Sequence, residues 1–175
     1  MHWARYMSNE EQISDAKSAI KTMEEAARLT PHNEDNRTVI IERHSKACWF
    51  AYEAWREYDL PAYLKLALPS AREAADRCAA TRSVPNSLRA KVLHEAAMIL
   101  ASLYDEGDSS SEEGEDDDQD DGDETLGDEA VRYAELAVEL AAKDGCEAND
   151  GCDHCKQRSV YVDGLESVRR SAGRE

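Results

Sequence analysis

Glycine and proline are scarce in this chain, 8 and 4 of 175 residues, and phenylalanine occurs once. The few Gly and Pro fall between apolar-periodic stretches, and no segment carries the β-branched alternation of a strand, so a sheet-based fold is excluded. No apolar run approaches the length needed to cross a bilayer, and Met1-His2-Trp3-Ala4-Arg5 lacks the apolar stretch of a secretory signal. A cytoplasmic address is the expectation. Five cysteines, an odd number with three near the C-terminus, do not make the disulfide framework of a secreted miniprotein. They read as reduced thiols or metal ligands. Nucleotide-binding glycine loops, a G-x-S-x-G elbow and an H-E-x-x-H motif are all missing, so no sequence motif supports catalysis.

Basic residues are missing altogether from residues 105–124, where thirteen Asp or Glu are interspersed only with Gly, Ser and Gln. The whole chain carries a net charge of -17; subtracting the tract's -13 leaves -4 for everything else. Most of the chain is therefore an ordinary, mildly acidic protein with room for one domain and a real core. Like charges at this density repel and bury no apolar surface, so residues 105–125 are expected to form a disordered acidic loop. Its sequence also approximates a calcium loop from Asp117 to Asp128, with Gly122 at the sixth place, although Gln119 and Asp128 stand where stronger ligands are usual. Ser109 and Ser110, each with an acid three residues on, suit an acidophilic kinase.

What remains is rich in Ala and Leu and reads as all-α. Six helices are expected over residues 9–29, 36–58, 61–80, 86–104, 126–143 and 156–171. Ser8 and Glu11 form a capping box before the first, Pro31 stops it, and Pro61 opens the third. Pro69 removes a donor inside the third helix and is expected to kink it. Residues 144–156 then form a Cys-rich loop, and 157–172 a C-terminal capping helix. Short connections imply antiparallel neighbours, in a bundle or a solenoid.

Small residues recur in a fixed frame along these helices. Ala19-Ile20-x2-Met23-x2-Ala26 is followed by Pro31; the spacing returns in Ala67-x3-Ala71-x2-Ala74 and in Ala130-x3-Ala134-x2-Ala137. Upstream stand Ala51-x2-Ala54-Trp55-x2-Tyr58 and Ala97-x2-Leu100-Ala101-x2-Tyr104. The frame resembles the tetratricopeptide repeat, whose two helices carry W-x2-L-G-x2-Y and then A-x3-F-x2-A with a following Pro. Residues 9–143 are covered. The signature Trp and Gly places hold Ala and Trp in one unit and Ala and Ala in the other. The resemblance implies stacked helical hairpins with a concave recognition face lined by the first helix of each pair. It also places the acidic tract as an excess of 17 residues in one inter-helix turn.

Candidate binding residues follow from charge and aromaticity. Trp49, Phe50, Tyr52, Trp55, Tyr58 and Tyr63 are the densest aromatic group; at spacings of three, Trp49, Tyr52, Trp55 and Tyr58 read as core, which leaves Phe50 and Tyr63 exposed to a partner. Arg43, Lys46, Arg89 and Lys91 give the second and fourth helices a basic face. Cys146, Cys152 and Cys155, with His154 between the last two, could hold Zn²⁺, although one knuckle is present where zinc sites commonly pair two; a local disulfide or a plain loop competes with that reading. His44 with Cys48 and His94 with Glu95 read as structural, the second pair because adjacent helix positions diverge.

The expected function is non-enzymatic binding of a partner protein or peptide in a helical groove, with a basic partner suited to the acidic loop. The acidic loop would modulate it by steering or by folding back onto the groove. Neither direct nucleic-acid nor membrane binding is expected. A regulator that mimics nucleic-acid charge toward a basic or DNA-binding protein is the first alternative, and a metal-dependent regulatory or redox module the second.

Overall fold

The computed structural model describes residues 9–31, 33, 36–108, 125–143 and 153–173. These form six helices: α1 (Asn9–Arg28), α2 (Arg37–Tyr58), α3 (Ala62–Ala80), α4 (Asn86–Asp108), α5 (Leu126–Lys143) and α6 (Asp153–Ser171). Among the described residues there is no strand, and no helix is long and apolar enough to cross a membrane. The fold class is all-α, as composition and periodicity require.

Every helix pair in substantial contact is one or two places apart in chain order. Consecutive helices pack, most extensively α4 with α5 and α2 with α3, while α1–α3, α2–α4 and α4–α6 touch more lightly. The small residues explain the close packing: Ala67, Ala71, Ala74, Ala130, Ala134 and Ala137 are all buried. A methyl group at these places lets helix axes approach, and bulk comes from the facing elements. Tyr63, Leu64, Leu93, Ile99, Leu100 and Tyr133 supply that bulk, each worth about 1.5–3 kcal/mol on full burial.

Two boundaries differ from expectation by more than one residue. α4 runs to Asp108 rather than residue 104, so the acidic tract begins inside a helix. Acidic side chains are unfavourable near a helix C-terminus, but Ser171 Oγ donates to Asp105 Oδ2 at 2.9 Å and ties this end to α6. α6 begins at Asp153, so Cys155 lies in its first turn and not in a loop. Asp153 is favourably placed near that N-terminus and pairs with Lys156 at 3.6 Å. Residues 109–124, with the calcium-like spacing and both candidate phosphoserines, lie outside the described residues, as do Ser8 and the Cys146–Cys152 pair.

Local chemistry sets the turns. Asp59 ends α2 in the left-handed region (φ 53°) while its N–H bonds the Trp55 carbonyl at 2.7 Å. Leu60 and Pro61 then start α3, which continues through Pro69. Thr125 Oγ1 accepts the Asp128 N–H at 3.2 Å and so caps α5.

Candidate functional site

Two side chains expected at a basic recognition face, Arg43 and Arg89, are half-buried and reach the end of the preceding helix. Arg43 on α2 donates through Nη1 to the Ala26 carbonyl and to Thr30 Oγ1, closing the C-terminal turn of α1. Arg89 on α4 donates through Nε to the Cys78 carbonyl at 2.8 Å, closing the end of α3 in the same way. A cation on the last carbonyls of a preceding helix satisfies orphan acceptors and opposes the helix dipole. These arginines join consecutive helices together, a structural role beside the partner contact expected of them. Lys91 is exposed and pairs with Glu95 at 3.6 Å, and Lys46 is exposed on α2.

Aromatic residues do assemble. Phe50, Ala54 and Tyr58 stand one turn apart along α2, and with Tyr63 of α3 and Asp15, Ala16 and Ala19 of α1 they line a cleft of about 360 Å³. Phe50 is 44% exposed and Tyr58 46%. Tyr63, expected to be exposed, is only 1% accessible. The reason is the turn at Asp59: α3 folds back so soon that the second residue of the helix is packed beneath the end of α2. The Tyr58 and Tyr63 rings lie 6.2 Å apart, tilted by 34°. Burial, then Tyr58, then Asp15 push the Tyr63 phenol above its ordinary value, so it stays a neutral donor at the cleft floor.

Tyr58 was expected in the core, because spacing in threes placed it with Trp49, Tyr52 and Trp55. Those three do pack inward, with ring separations of 5.1 and 5.4 Å. Phe50 and Tyr58, eight residues apart with Ala54 between, follow the other helical period and form a second stripe. Counting in fours from Phe50 would have found the cleft wall.

A second cavity of about 360 Å³ lies where α1, α2 and α3 meet and includes Glu24, His44, Ser70, Glu73 and Arg77. Its polar groups are largely spent on one another. Ser70 Oγ donates to Glu24 Oε1 at 2.5 Å, and Arg77 pairs with Glu73 at 2.5 Å. Burial, against Glu73, pushes the His44 imidazole below its ordinary value, and its Nδ1 is buried without a partner. The Ser70 hydroxyl points to a carboxylate and makes no bond to the imidazole, so the base–nucleophile contact of acyl-transfer chemistry is not formed here.

The remaining candidates serve the interior. Burial and the nearby Glu95 push the Cys48 thiol up to about 12, and its Sγ donates to the Ser45 carbonyl at 3.1 Å. A thiol so held does not present a thiolate to His44 for metal sharing. His94 and Glu95 point to different neighbours, as adjacent helical residues must: His94 stacks on Tyr161 at 5.1 Å, while Glu95 accepts from Ser45 Oγ at 2.6 Å. Among the described residues no group of three or more His, Cys, Asp or Glu is placed to hold a metal ion. Of the zinc candidates only Cys155 is described, half-buried on α6; Cys146 and Cys152 lie outside the described residues. Comparison with protein-family models, with curated proteins and with solved structures found no match.

Proposed function

We propose that this chain is a small, non-enzymatic interaction module of tetratricopeptide-like helical hairpins, which binds a partner protein or peptide at the α1–α2–α3 cleft and works in the cytoplasm. The observation that carries this reading is the pair of half-exposed rings, Phe50 and Tyr58, standing over a buried third ring. Exposed aromatics beside a preformed concavity supply contact area at little entropic cost. Contacts concentrated between helices one or two places apart support a stacked scaffold, whose stability is the sum of local interfaces and whose faces stay open to ligands.

The test is position-specific photo-crosslinking in the native host. A benzophenone side chain at position 50 is expected to capture a discrete protein product, whereas one at exposed Val160 on α6 captures none. Equal products from both positions, or none from position 50, would refute the cleft as the binding site. Charge mimicry toward a basic or DNA-binding protein is favoured only by the acidic tract. In that case capture at position 50 would be absent, and binding would vanish with residues 109–124.

A further inference from the structure

The lining of the cleft narrows what it accepts. Among the described residues, three rings and three alanines provide its walls, and the one charged lining residue is a carboxylate, Asp15. Among them no basic side chain lines it; Lys46, a turn before Phe50 on α2, lies outside the lining. Ring faces carry negative potential and attract an ammonium or guanidinium group within about 6 Å of the centroid. Asp15 is exposed on α1, so a cation seated against the half-exposed rings keeps a counter-charge without full loss of water. A volume of about 360 Å³ is near the small end for ligand clefts and suits one extended side chain better than a docked helix. The rest of the chain adds a long-range bias, since a net charge of -17 draws basic partners toward it.

We infer that the Phe50–Tyr58–Tyr63 cleft is a receptor for one cationic side chain, lysine, methylated lysine or arginine, presented by a basic segment of the partner. The inference rests on the cleft being the binding site and adds the chemistry of its occupant. Neutral apolar side chains fit the same walls but gain nothing from Asp15 or from the ring faces. Lysine and its methylated forms share the ammonium–ring attraction, and methylation lowers the cost of removing water from the charge.

The experiment titrates the protein with three small probes of one length: N-acetyl-lysine amide, its trimethylated form and N-acetyl-norleucine amide. Backbone amide shifts of Ala16, Ala19 and Ala54 are the readout. Trimethyl-lysine is expected to bind about tenfold more tightly than norleucine, with lysine between them. Asp15→Asn and Tyr58→Leu should each lower cation affinity severalfold and lower it more than norleucine affinity, a loss of selectivity that an altered fold, weakening both probes alike, would not produce. Norleucine binding as tightly as trimethyl-lysine overturns the cation and leaves an apolar docking cleft. If no probe shifts these amides, the cation inference is overturned, while crosslinking at position 50 independently decides the cleft reading.

Discussion

The imidazole of His94 is held between α4 and α6, against the Tyr161 ring and under Gly164. A Cβ added at Gly164 would lie 2.3 Å from His94 Cε1 and 2.8 Å from Nδ1, so the glycine is required by close approach. Gly164→Ala is expected to destabilise by about 1–3 kcal/mol through overpacking, read as a lower urea midpoint. The cost should shrink in the His94→Ala background, because the two positions share the same space. Equal costs in both backgrounds would mean that the ring yields freely.

The same imidazole is expected to contribute to acid sensitivity. Burial alone pushes His94 below its ordinary value of 6.5, and burial does the same chiefly at His44. Such a group takes up protons more readily in the unfolded chain, so its contribution is complete above about pH 6.5 and is lost as pH falls through the folded value. Glu95 acts in the opposite sense. Burial raises it from 4.5 against the Ser45 and Lys91 contacts, so protonation on acidification relieves a buried charge. His94→Gln should therefore flatten the loss of stability below pH 6.5 while leaving the His44 part of the slope, as urea melts across pH 5 to 8 would record. An unchanged slope would place the acid sensitivity elsewhere.

At the scale of elements, α3 and α5 are joined by two polar links. Arg72 donates through Nε and Nη2 to the buried Glu129 carboxylate at 2.6 to 3.2 Å, and Tyr133 Oη donates to Asp76 Oδ1 at 3.1 Å. The ends of the ion pair differ in environment, because the Arg72 side chain is 44% exposed and that of Glu129 only 10%. Arg72→Ala strands a buried carboxylate and is expected to cost about 2–3 kcal/mol, whereas Glu129→Gln releases an arginine to solvent and should cost about 1 kcal/mol. The order of the two urea midpoints is the check. A reversed order would mean that water reaches Glu129 once Arg72 is gone.

Helix existence was legible from sequence because each helix buries an Ala- and Leu-rich stripe between Gly, Pro and polar punctuation, and α5 falls on residues 126–143 as read. The ends set by tertiary contact were not legible: the Ser171–Asp105 bond that prolongs α4 spans 66 residues and leaves no local trace. The binding residues divide on similar grounds. Phe50 was visible as an aromatic off the core stripe. The structural bonds of Arg43 and Arg89 were not legible, because charge alone does not reveal that a carbonyl of the preceding helix waits within reach. Tyr63 was misread because its burial depends on the angle of the turn at Asp59, a property of backbone rather than composition.

At the scale of the molecule, residues 109–124 join the most extensively packed pair of helices, α4 and α5. That pairing does not need sixteen residues of connection. Replacing 109–124 by four residues of Gly and Ser shortens the closed loop by two doublings, which favours folding by about 1.2 kcal/mol. It also removes ten carboxylates. The urea midpoint is therefore expected to hold or rise, and a fall would mean that the tract packs on the helices. Binding should respond in rate more than in grip. Steering by a distant charge raises association and is screened over about 8–10 Å at physiological salt, whereas the lifetime of a seated side chain depends on the cleft. For a basic peptide measured by stopped flow at low and physiological ionic strength, the shortened chain should associate more slowly at low salt. It should lose most of its salt dependence and dissociate at the parent's rate. Faster association would instead make the tract a competitor that occupies the partner's side of the encounter, and unchanged rates at both salts would deny it any part in recognition.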